Sequence, residues 1–279
     1  MIDDGALIGT RKADFSEIYV EPDPRAYYAT LRPLDYQIPQ LAAPVVEAVV
    51  AAARPAAVLD LCCSYGINAA LLRHDVTWER LAEHYERLDD LPTATLETVD
   101  EAFYSARRRG PSPRVLGLDA SDPAVGYAVR TGLLAAGWAE DLEQDDASAA
   151  LAAGLQDVGL VISTGGIGYV GEQTIERILR VLPRPEELWL AVFVLRVFDY
   201  ATVADTLARF GLVTEKLPGT FRQRRFADRD ERDAAVHDVE RRGLDPTDLE
   251  ADGWYHAECF LTRPAAKAAR VPAAELLAC

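Results

Sequence analysis

The residues best suited to ligand chemistry lie in Val58 to Gly66, an apolar run that contains Asp60 and ends in small residues. The helix-forming segment Ile67 to Leu72 follows, so the pattern indicates a strand, a tight turn and a helix. Such a turn brings backbone N–H groups and a helix N-terminus beside a ligand at the carboxyl end of the strand. The stretch therefore predicts the opening of a nucleotide-binding α/β domain.

Two further predicted strands end in acidic or small residues. The strand Arg114 to Leu118 is followed by Asp119, and the buried strand Gly159 to Thr164 leads into a glycine-rich loop, Gly165 to Tyr169. A dinucleotide-type half-domain places its second acidic residue roughly 20 positions after the first turn. Asp119 lies 59 positions after Asp60, so about 40 residues are inserted relative to that spacing. The insertion lies either beside the ligand site or remote from it.

The elements around these strands suggest one domain with additions. Residues 1–56 are predicted to form an N-terminal cap and a helix, because prolines break the chain into short pieces that buried aromatic side chains can anchor. Residues 57–263 form the main domain, with the insertion at about 74–113. Residues 264–279 form an alanine-rich tail without further signal.

Composition restricts the partners. The chain has 279 residues, a formal net charge of −16 and a pI near 4.7, which argues against nucleic acid and anionic lipid as partners. The run from Phe221 to Phe226 is basic but short, and a charged strand is its simpler interpretation. No signal peptide or membrane-spanning stretch is recognised. The four cysteines (Cys62, Cys63, Cys259 and Cys279) lack metal-site spacing, so we expect a cytoplasmic protein without a metal.

This order of elements resembles the class I S-adenosylmethionine-dependent methyltransferases. The resemblance covers roughly residues 45–263 and implies an α/β, Rossmann-like fold, with a seven-stranded, mostly parallel sheet, helices on both faces and an antiparallel last strand. It also implies S-adenosylmethionine as the cofactor. The residues that it places around that cofactor are Asp60, Cys62, Ser64, Tyr65, Gly66, Asn68, Asp119, Ala120, Glu140, Asp141, Ser163, Thr164 and Gly165. Asp119 corresponds to the carboxylate that accepts the ribose hydroxyls, and Glu140 and Asp141 lie where the family contacts adenine.

The first turn departs from the family pattern. Three alternating positions that are usually glycine hold Cys62, Ser64 and Gly66. We expect small residues to serve there with negative φ, which leaves Gly66 alone as indispensable. A nicotinamide-binding domain requires G-x-G-x-x-G at this turn, and the sequence fails that template at all three glycines.

Tyrosines are the strongest candidates for a direct role in the reaction. Tyr27, Tyr28, Tyr36 and Tyr169 come from segments expected to meet at the carboxyl edge of the sheet, and an aromatic face stabilises a cation such as a sulfonium. Packing is the alternative role for each of them. The resemblance implies methyl transfer to a small molecule, catalysed mainly by positioning.

Two other functions stay open. Some members of this fold, the azetidine-2-carboxylate synthases, cyclise the aminobutyryl chain of S-adenosylmethionine and release 5′-methylthioadenosine. The altered turn and the tyrosine-rich cap admit that reaction. A non-catalytic cofactor-binding or scaffold protein is the third interpretation, and a homodimer is also left open.

Overall fold

The structure is a computed structural model that describes residues 15–276. The predicted cap and tail extend beyond these limits, so residues 1–14 and 277–279, with Cys279, lie outside the described part. Within it, no helix is both long and apolar enough to span a membrane.

A single mixed sheet forms the centre of the molecule. Its strands are β1 (Ala57–Leu61), β2 (Arg114–Asp119), β3 (Ala136–Ala139), β4 (Val158–Thr164), β5 (Trp189–Leu195), β6 (Leu212–Lys216), β7 (Phe221–Arg225) and β8 (Trp254–Pro264). They run in the order β3-β2-β1-β4-β5-β8-β6, and β7 also pairs with β8. The first five strands are parallel, whereas β8 is antiparallel to β5, β6 and β7. The predicted fold class, with its reversed last strand, is confirmed.

Eight strands occupy the seven predicted positions, because one position is divided. β6 pairs with residues 260–264 of β8, and β7 pairs with residues 254–257 of the same strand. Pro218 and Gly219 separate β6 from β7. Pro218 has no N–H to donate to a ladder, and Gly219 has a φ of +81°, so the extended backbone is interrupted there.

Helices cover both faces of the sheet. They are α1 (Ser16–Tyr19), α2 (Arg25–Leu31), α3 (Ile38–Ala53), α4 (Ile67–Arg73), α5 (Trp78–Arg87), α6 (Thr93–Ser105), α7 (Asp122–Arg130), α8 (Ala149–Gly154), α9 (Glu172–Val181), α10 (Ala201–Arg209), α11 (Arg229–Arg241), α12 (Ala265–Ala268) and α13 (Ala273–Leu276). Successive strand residues point to opposite faces. Val58 accordingly packs with α3, α4 and α7, whereas Leu59 packs with α8, α9 and α10.

The insertion packs against the cap. α5 and α6 belong to it, and a bridge between His74 and Arg108 closes its base. The ring of Tyr28 in α2 stacks on Tyr85 in α5, with ring centroids 4.8 Å apart. The buried carboxylate of Asp100 accepts hydrogen bonds from Tyr85 and from the α7 residue Tyr127. The insertion therefore connects the cap to the main domain.

Candidate functional site

A cavity of about 420 Å³ lies at the carboxyl ends of β1, β2 and β4. The described part of the cap, residues 15–39, closes it from the opposite side. The volume is in the range of small-molecule sites. Its position agrees with the rule that open α/β sheets bind ligands beyond the carboxyl ends of their strands.

The cavity brings most of the sequence-predicted residues together. Those that line it are Tyr27, Tyr36, Tyr169, Cys62, Ser64, Asn68, Asp119, Ala120, Glu140, Asp141, Thr164 and Gly165. The others, Tyr28, Asp60, Tyr65, Gly66 and Ser163, lie behind this lining. The predicted site thus consists of a lining layer and a supporting layer.

The turn after β1 adopts an unusual backbone. Cys62, Ser64 and Gly66 have φ values of +59°, +48° and +80°. The expectation of negative φ at the first two positions is wrong, because the backbone keeps the left-handed conformation that glycine ordinarily adopts. At a non-glycine residue this conformation costs free energy, because Cβ comes too close to the backbone. A Cβ at Gly66 would also lie 3.1 Å from the Cβ of Ala128.

Asp119 holds this turn in place. Its Oδ2 accepts the N–H of Ser64 at 2.9 Å, and its Oδ1 accepts the N–H of Ser121 at 3.0 Å. Burial raises the pKa of Asp119, and backbone N–H bonds act in the opposite direction. Each carboxylate oxygen keeps a further lone pair, because it can accept two hydrogen bonds. The side chain can therefore support the turn and still bind a ligand.

A polar chain leads from the cavity into the sheet. The hydroxyl of Thr164 donates to Asn68 Oδ1 at 3.2 Å, and Asn68 Nδ2 donates to Asp60 Oδ1 at 2.8 Å. Asp60 is fully buried, and this burial raises its pKa to about 7. Its Oδ2 has no hydrogen-bond partner in the described chain. Asp60 is thus linked to the cavity indirectly, through its hydrogen bond with Asn68.

The acidic residues after β3 lie at one end of the cavity. Glu140 accepts the N–H and the hydroxyl of Ser148, the residue that caps α8, at 2.9 and 2.6 Å. Asp141 accepts the N–H of Glu143 at 2.9 Å and is exposed. Both side chains have local structural partners in addition to their place in the lining.

Two glycines shape the wall after β4. A Cβ at Gly165 would lie 2.7 Å from Gln223 Nε2, and a Cβ at Gly166 would lie 2.7 Å from Cys62 Sγ. Ser163 is fully buried beneath this loop, and its hydroxyl has no partner among the described residues. The loop can therefore approach both the β1 turn and β7 closely.

The tyrosines divide between the cavity and its support. The rings of Tyr27 and Tyr36 meet edge to face with centroids 6.1 Å apart, and burial raises the pKa of Tyr36 to about 12. Tyr65 points away from the cavity and donates to the carbonyls of Ile18 and Glu21, both at 2.9 Å. It therefore anchors the cap to the β1 turn.

Sequence reasoning missed part of the lining. Phe15, Tyr19, Gln223 and Arg224 contribute to the cavity but were not singled out as site residues. Phe15 and Tyr19 belong to the aromatic cap, so its composition was the available signal. Gln223 and Arg224 lie in the short basic run, which indicated only a charged strand.

Several groups with catalytic potential lie elsewhere. None of the four histidines lines the cavity. The side chains of His74 and His256 are buried, which lowers the pKa of each to about 4. Among residues 15–276, no cluster of three or more His, Cys, Asp or Glu side chains could hold a metal ion.

Neither a protein-family model nor a curated protein sequence matches the chain. Similar solved structures include a TehB-like SAM-dependent methyltransferase from Corynebacterium glutamicum ATCC 13032, which is 16% identical over 78% of this chain and 86% of that one, with a TM-score of 0.38. Magnesium protoporphyrin IX methyltransferase from Synechocystis PCC 6803 is 13% identical over 92% and 88%, with a TM-score of 0.36. The plantazolicin methyltransferase in complex with a substrate analogue and SAH is 10% identical over 89% and 93%, with a TM-score of 0.42.

Proposed function

We propose that the chain binds S-adenosylmethionine in this cavity and transfers its methyl group to a small molecule. The observation that carries the proposal is the β1 turn, which keeps three left-handed residues at alternating positions beside Asp119. Strain at non-glycine residues is retained where a function requires the conformation. Here the conformation lets the backbone and a small side chain approach a ligand.

The adenosine portion fits the end of the cavity near β2 and β3. Asp119 has lone pairs for two ribose hydroxyls, and Ala120 and Leu142 add close apolar contact. Glu140 and Asp141 lie beyond them as acceptors for an amino group. Among the described residues, Arg224 is the one cationic side chain in this lining. The lining therefore suits a ligand that has no pyrophosphate.

The other half of the donor would lie over the β1 turn. Ser64 is 8% exposed, and its hydroxyl lacks a partner in the described chain. It can donate to the carboxylate of the methionyl group, as a hydroxyl both donates and accepts. An orphaned hydroxyl in the cavity wall supports a polar ligand at this place.

The chain's own residues would act by positioning and by excluding water. Bound there, the sulfonium supplies an activated methyl group. Tyr19, Tyr27 and Tyr36 present aromatic rings at the cavity, and such rings stabilise a cation. The buried cap residues Tyr27 and Leu31 would shield the reacting groups from water on that side, which would strengthen the electrostatic interactions there.

None of the four histidines lines the cavity, so no imidazole is placed to remove a proton from the acceptor. Asp60, with a pKa of about 7, faces Asn68 and lies behind the cavity. An acceptor whose nucleophilic atom is already deprotonated at the working pH needs no general base. We therefore place the acceptor among small molecules of that kind, in a cytoplasmic setting without nucleic acid.

Intramolecular cyclisation of the donor is the second candidate, favoured by the tyrosines that line the cavity. It would form azetidine-2-carboxylate and 5′-methylthioadenosine. A non-catalytic cofactor-binding protein is the third. Incubation of the purified protein with S-adenosylmethionine alone, followed by mass spectrometry, separates them.

Methyl transfer predicts S-adenosylhomocysteine only after an acceptor is added. Accumulation of 5′-methylthioadenosine with a cyclic amino acid would replace it by cyclisation. Calorimetric binding with no product under any condition would support the non-catalytic role, and absence of binding would sink all three.

Asp119→Ala tests the binding geometry most directly. The variant removes the ribose acceptor and leaves the N–H groups of Ser64 and Ser121 without their partner. Because hydrogen bonds to a charged group contribute about 1.5–3 kcal/mol each, we expect binding of S-adenosylhomocysteine to weaken at least about 100-fold.

Glu140→Gln is the matched control in the same cavity, and we expect less than about a tenfold change there because the amide still accepts hydrogen bonds. Isothermal titration calorimetry measures both variants. Equal affinities of Asp119→Ala and wild type would show that the ribose lies elsewhere.

A further inference from the structure

A β-bulge in β7 directs two consecutive side chains into the cavity. Arg222 pairs with His256 and Arg225 pairs with Trp254, so β7 has one more residue than β8 over this interval. Gln223 and Arg224 lie within that irregularity and both line the cavity. Bulges next to active sites commonly redirect a side chain, because the extra residue breaks the alternation of faces.

Gln223 presents an unused acceptor at this wall. It is 4% exposed, and its Oε1 has no hydrogen-bond partner in the part of the chain that the structure describes. Its Nε2 packs against Gly165, where a Cβ would lie 2.7 Å away. Its backbone carbonyl accepts the N–H of Gln37 at 2.7 Å. The backbone of Gln223 is thus fixed by Gln37, its side chain packs against Gly165, and its Oε1 can accept a hydrogen bond from a donor in the cavity.

The nearest charge to this amide is already balanced. Arg224 forms a bidentate ion pair with Glu231, at 2.9 and 2.7 Å, and both side chains are 2% exposed. The wall therefore offers a neutral oxygen rather than a free carboxylate. A buried amide oxygen without a partner costs free energy that a ligand N–H or O–H would recover.

The order of the strands indicates which part of the ligand reaches Gln223. The proposed adenosine contacts occupy the β3 and β2 side of the cavity, and β1, β4, β5 and β8 lie between β2 and β7 in the sheet. We propose that Gln223 Oε1 accepts an N–H bond from the α-amine of S-adenosylmethionine. This inference rests on the proposed function. It adds a contact from β7, which the motifs in the turn after β1 and in the loop after β4 do not predict.

The test compares two ligands that differ in the amino-acid chain. S-Adenosylhomocysteine carries the α-amine, whereas 5′-methylthioadenosine lacks it. Gln223→Met keeps the length of the side chain and removes the amide. Since a hydrogen bond to a charged group contributes about 1.5–3 kcal/mol, we expect calorimetry to show about 10- to 100-fold weaker binding of S-adenosylhomocysteine. Binding of 5′-methylthioadenosine should change by less than about twofold.

Gln37→Met is the matched control, because Gln37 contacts Gln223 only through its backbone and does not line the cavity. It should leave both affinities unchanged. Gln223→Asn, which keeps the amide but shortens its reach, should show the same selective loss if Gln223→Met fails to fold.

Equal affinity of wild type and Gln223→Met for S-adenosylhomocysteine would overturn this inference and leave the proposed function in place. An equal loss for both ligands would also overturn it, because the damage would not follow the amine. A wild-type protein that binds neither ligand would remove the proposed function itself.

Discussion

The cavity has two walls that are built by different forces. The sheet wall consists of residues 61–64, 67–68, 118–121 and 164–166, and the cap wall is formed by residues within 15–20 and 27–39. Backbone hydrogen bonds fix the sheet wall, where the N–H groups of Cys62 and Cys63 donate to Leu118 O at 2.8 and 3.3 Å. Ring contacts fix the cap wall, where the ring centroids of Tyr27 and Tyr36 are 6.1 Å apart.

The two walls should differ in the amino-acid substitutions that they tolerate. Side chains in the sheet wall can change as long as the backbone keeps its conformation, as the residues Cys62 and Ser64 illustrate. The cap wall depends on the side chains themselves, because aromatic pairs contribute about 0.5–1.5 kcal/mol each beyond the area they bury. We therefore expect substitutions to act through charge and φ in the first wall and through lost contacts in the second.

The largest effect should come from Asp60, which supports the sheet wall. Its folded-state pKa is about 7, whereas an exposed aspartate titrates near pH 4. Between these values the folded protein retains a proton that the unfolded chain has released, so the free energy of unfolding falls as pH rises. At 1.36 kcal/mol per unit, the loss from this group is on the order of 4 kcal/mol.

Asp60→Asn removes that titration while its amide oxygen still accepts from Asn68. Urea unfolding at several pH values from 4 to 8 should show that wild type loses stability relative to the variant as pH rises. All other titrating groups are common to both proteins, so the difference between the two curves isolates Asp60. Parallel curves would contradict the buried-acid interpretation of the sheet wall.

An intermediate effect should come from Tyr65, which joins the two walls. Tyr65→Phe removes the hydroxyl that donates to the carbonyls of Ile18 and Glu21. Leaving the buried carbonyl of Ile18 without a donor costs about 1–3 kcal/mol. We expect faster amide hydrogen exchange in residues 16–21, with the sheet unchanged.

Tyr104→Phe is the control for the loss of a buried hydroxyl, since its hydroxyl bonds to Tyr85 within the insertion at 2.9 Å. It should leave exchange in residues 16–21 near the wild-type rate. Uniform acceleration across the whole protein in Tyr65→Phe would mean that the two walls do not move separately.

The smallest effect should come from Ser64, and it has the opposite sign. A left-handed non-glycine residue costs about 1–2 kcal/mol, and glycine loses about 0.5–1 kcal/mol through the entropy of the unfolded chain. Ser64→Gly should therefore raise the free energy of unfolding by about 0.5–1 kcal/mol. Ser64→Ala removes the same hydroxyl but keeps Cβ, so it should be less stable than Ser64→Gly in the same denaturation experiment. Equal stability of the two would refute strain at this position.

The sheet wall was predictable because its signals are local in the sequence. An apolar run with one acidic residue and a small-residue turn marks the end of a strand, and parallel strands bring such ends to one edge. Asp119 and the loop after Thr164 were placed on that basis alone. The sign of φ at Cys62 and Ser64 was not predictable, because local preference favours negative φ at both residues. The left-handed backbone is held by contacts distant in sequence, such as the bond from the Ser64 N–H to Asp119.

For the cap wall, the sequence predicted that tyrosines face the cavity but not which of them do so. Tyr27 and Tyr28 are adjacent in one short helix, yet the first lines the cavity and the second stacks on Tyr85. Which face of α2 meets the sheet depends on the insertion, whose Tyr85 lies 57 residues after Tyr28 in the chain. Gln223 depends on a bulge, and the pairing that defines a bulge involves a partner strand that local sequence does not specify.

The packing of the insertion on the cap has a consequence for how the protein opens. The hydroxyl of Thr93 donates to Asp23 at 2.7 Å, Arg32 pairs with Glu86 at 2.7 Å, and Tyr28 stacks on Tyr85. Segments tied in this way exchange their amides as one cooperative unit. Access to the cavity by displacement of the cap therefore requires the insertion to unfold or to move with it, so a segment that never touches the ligand would set the rate of its entry and release.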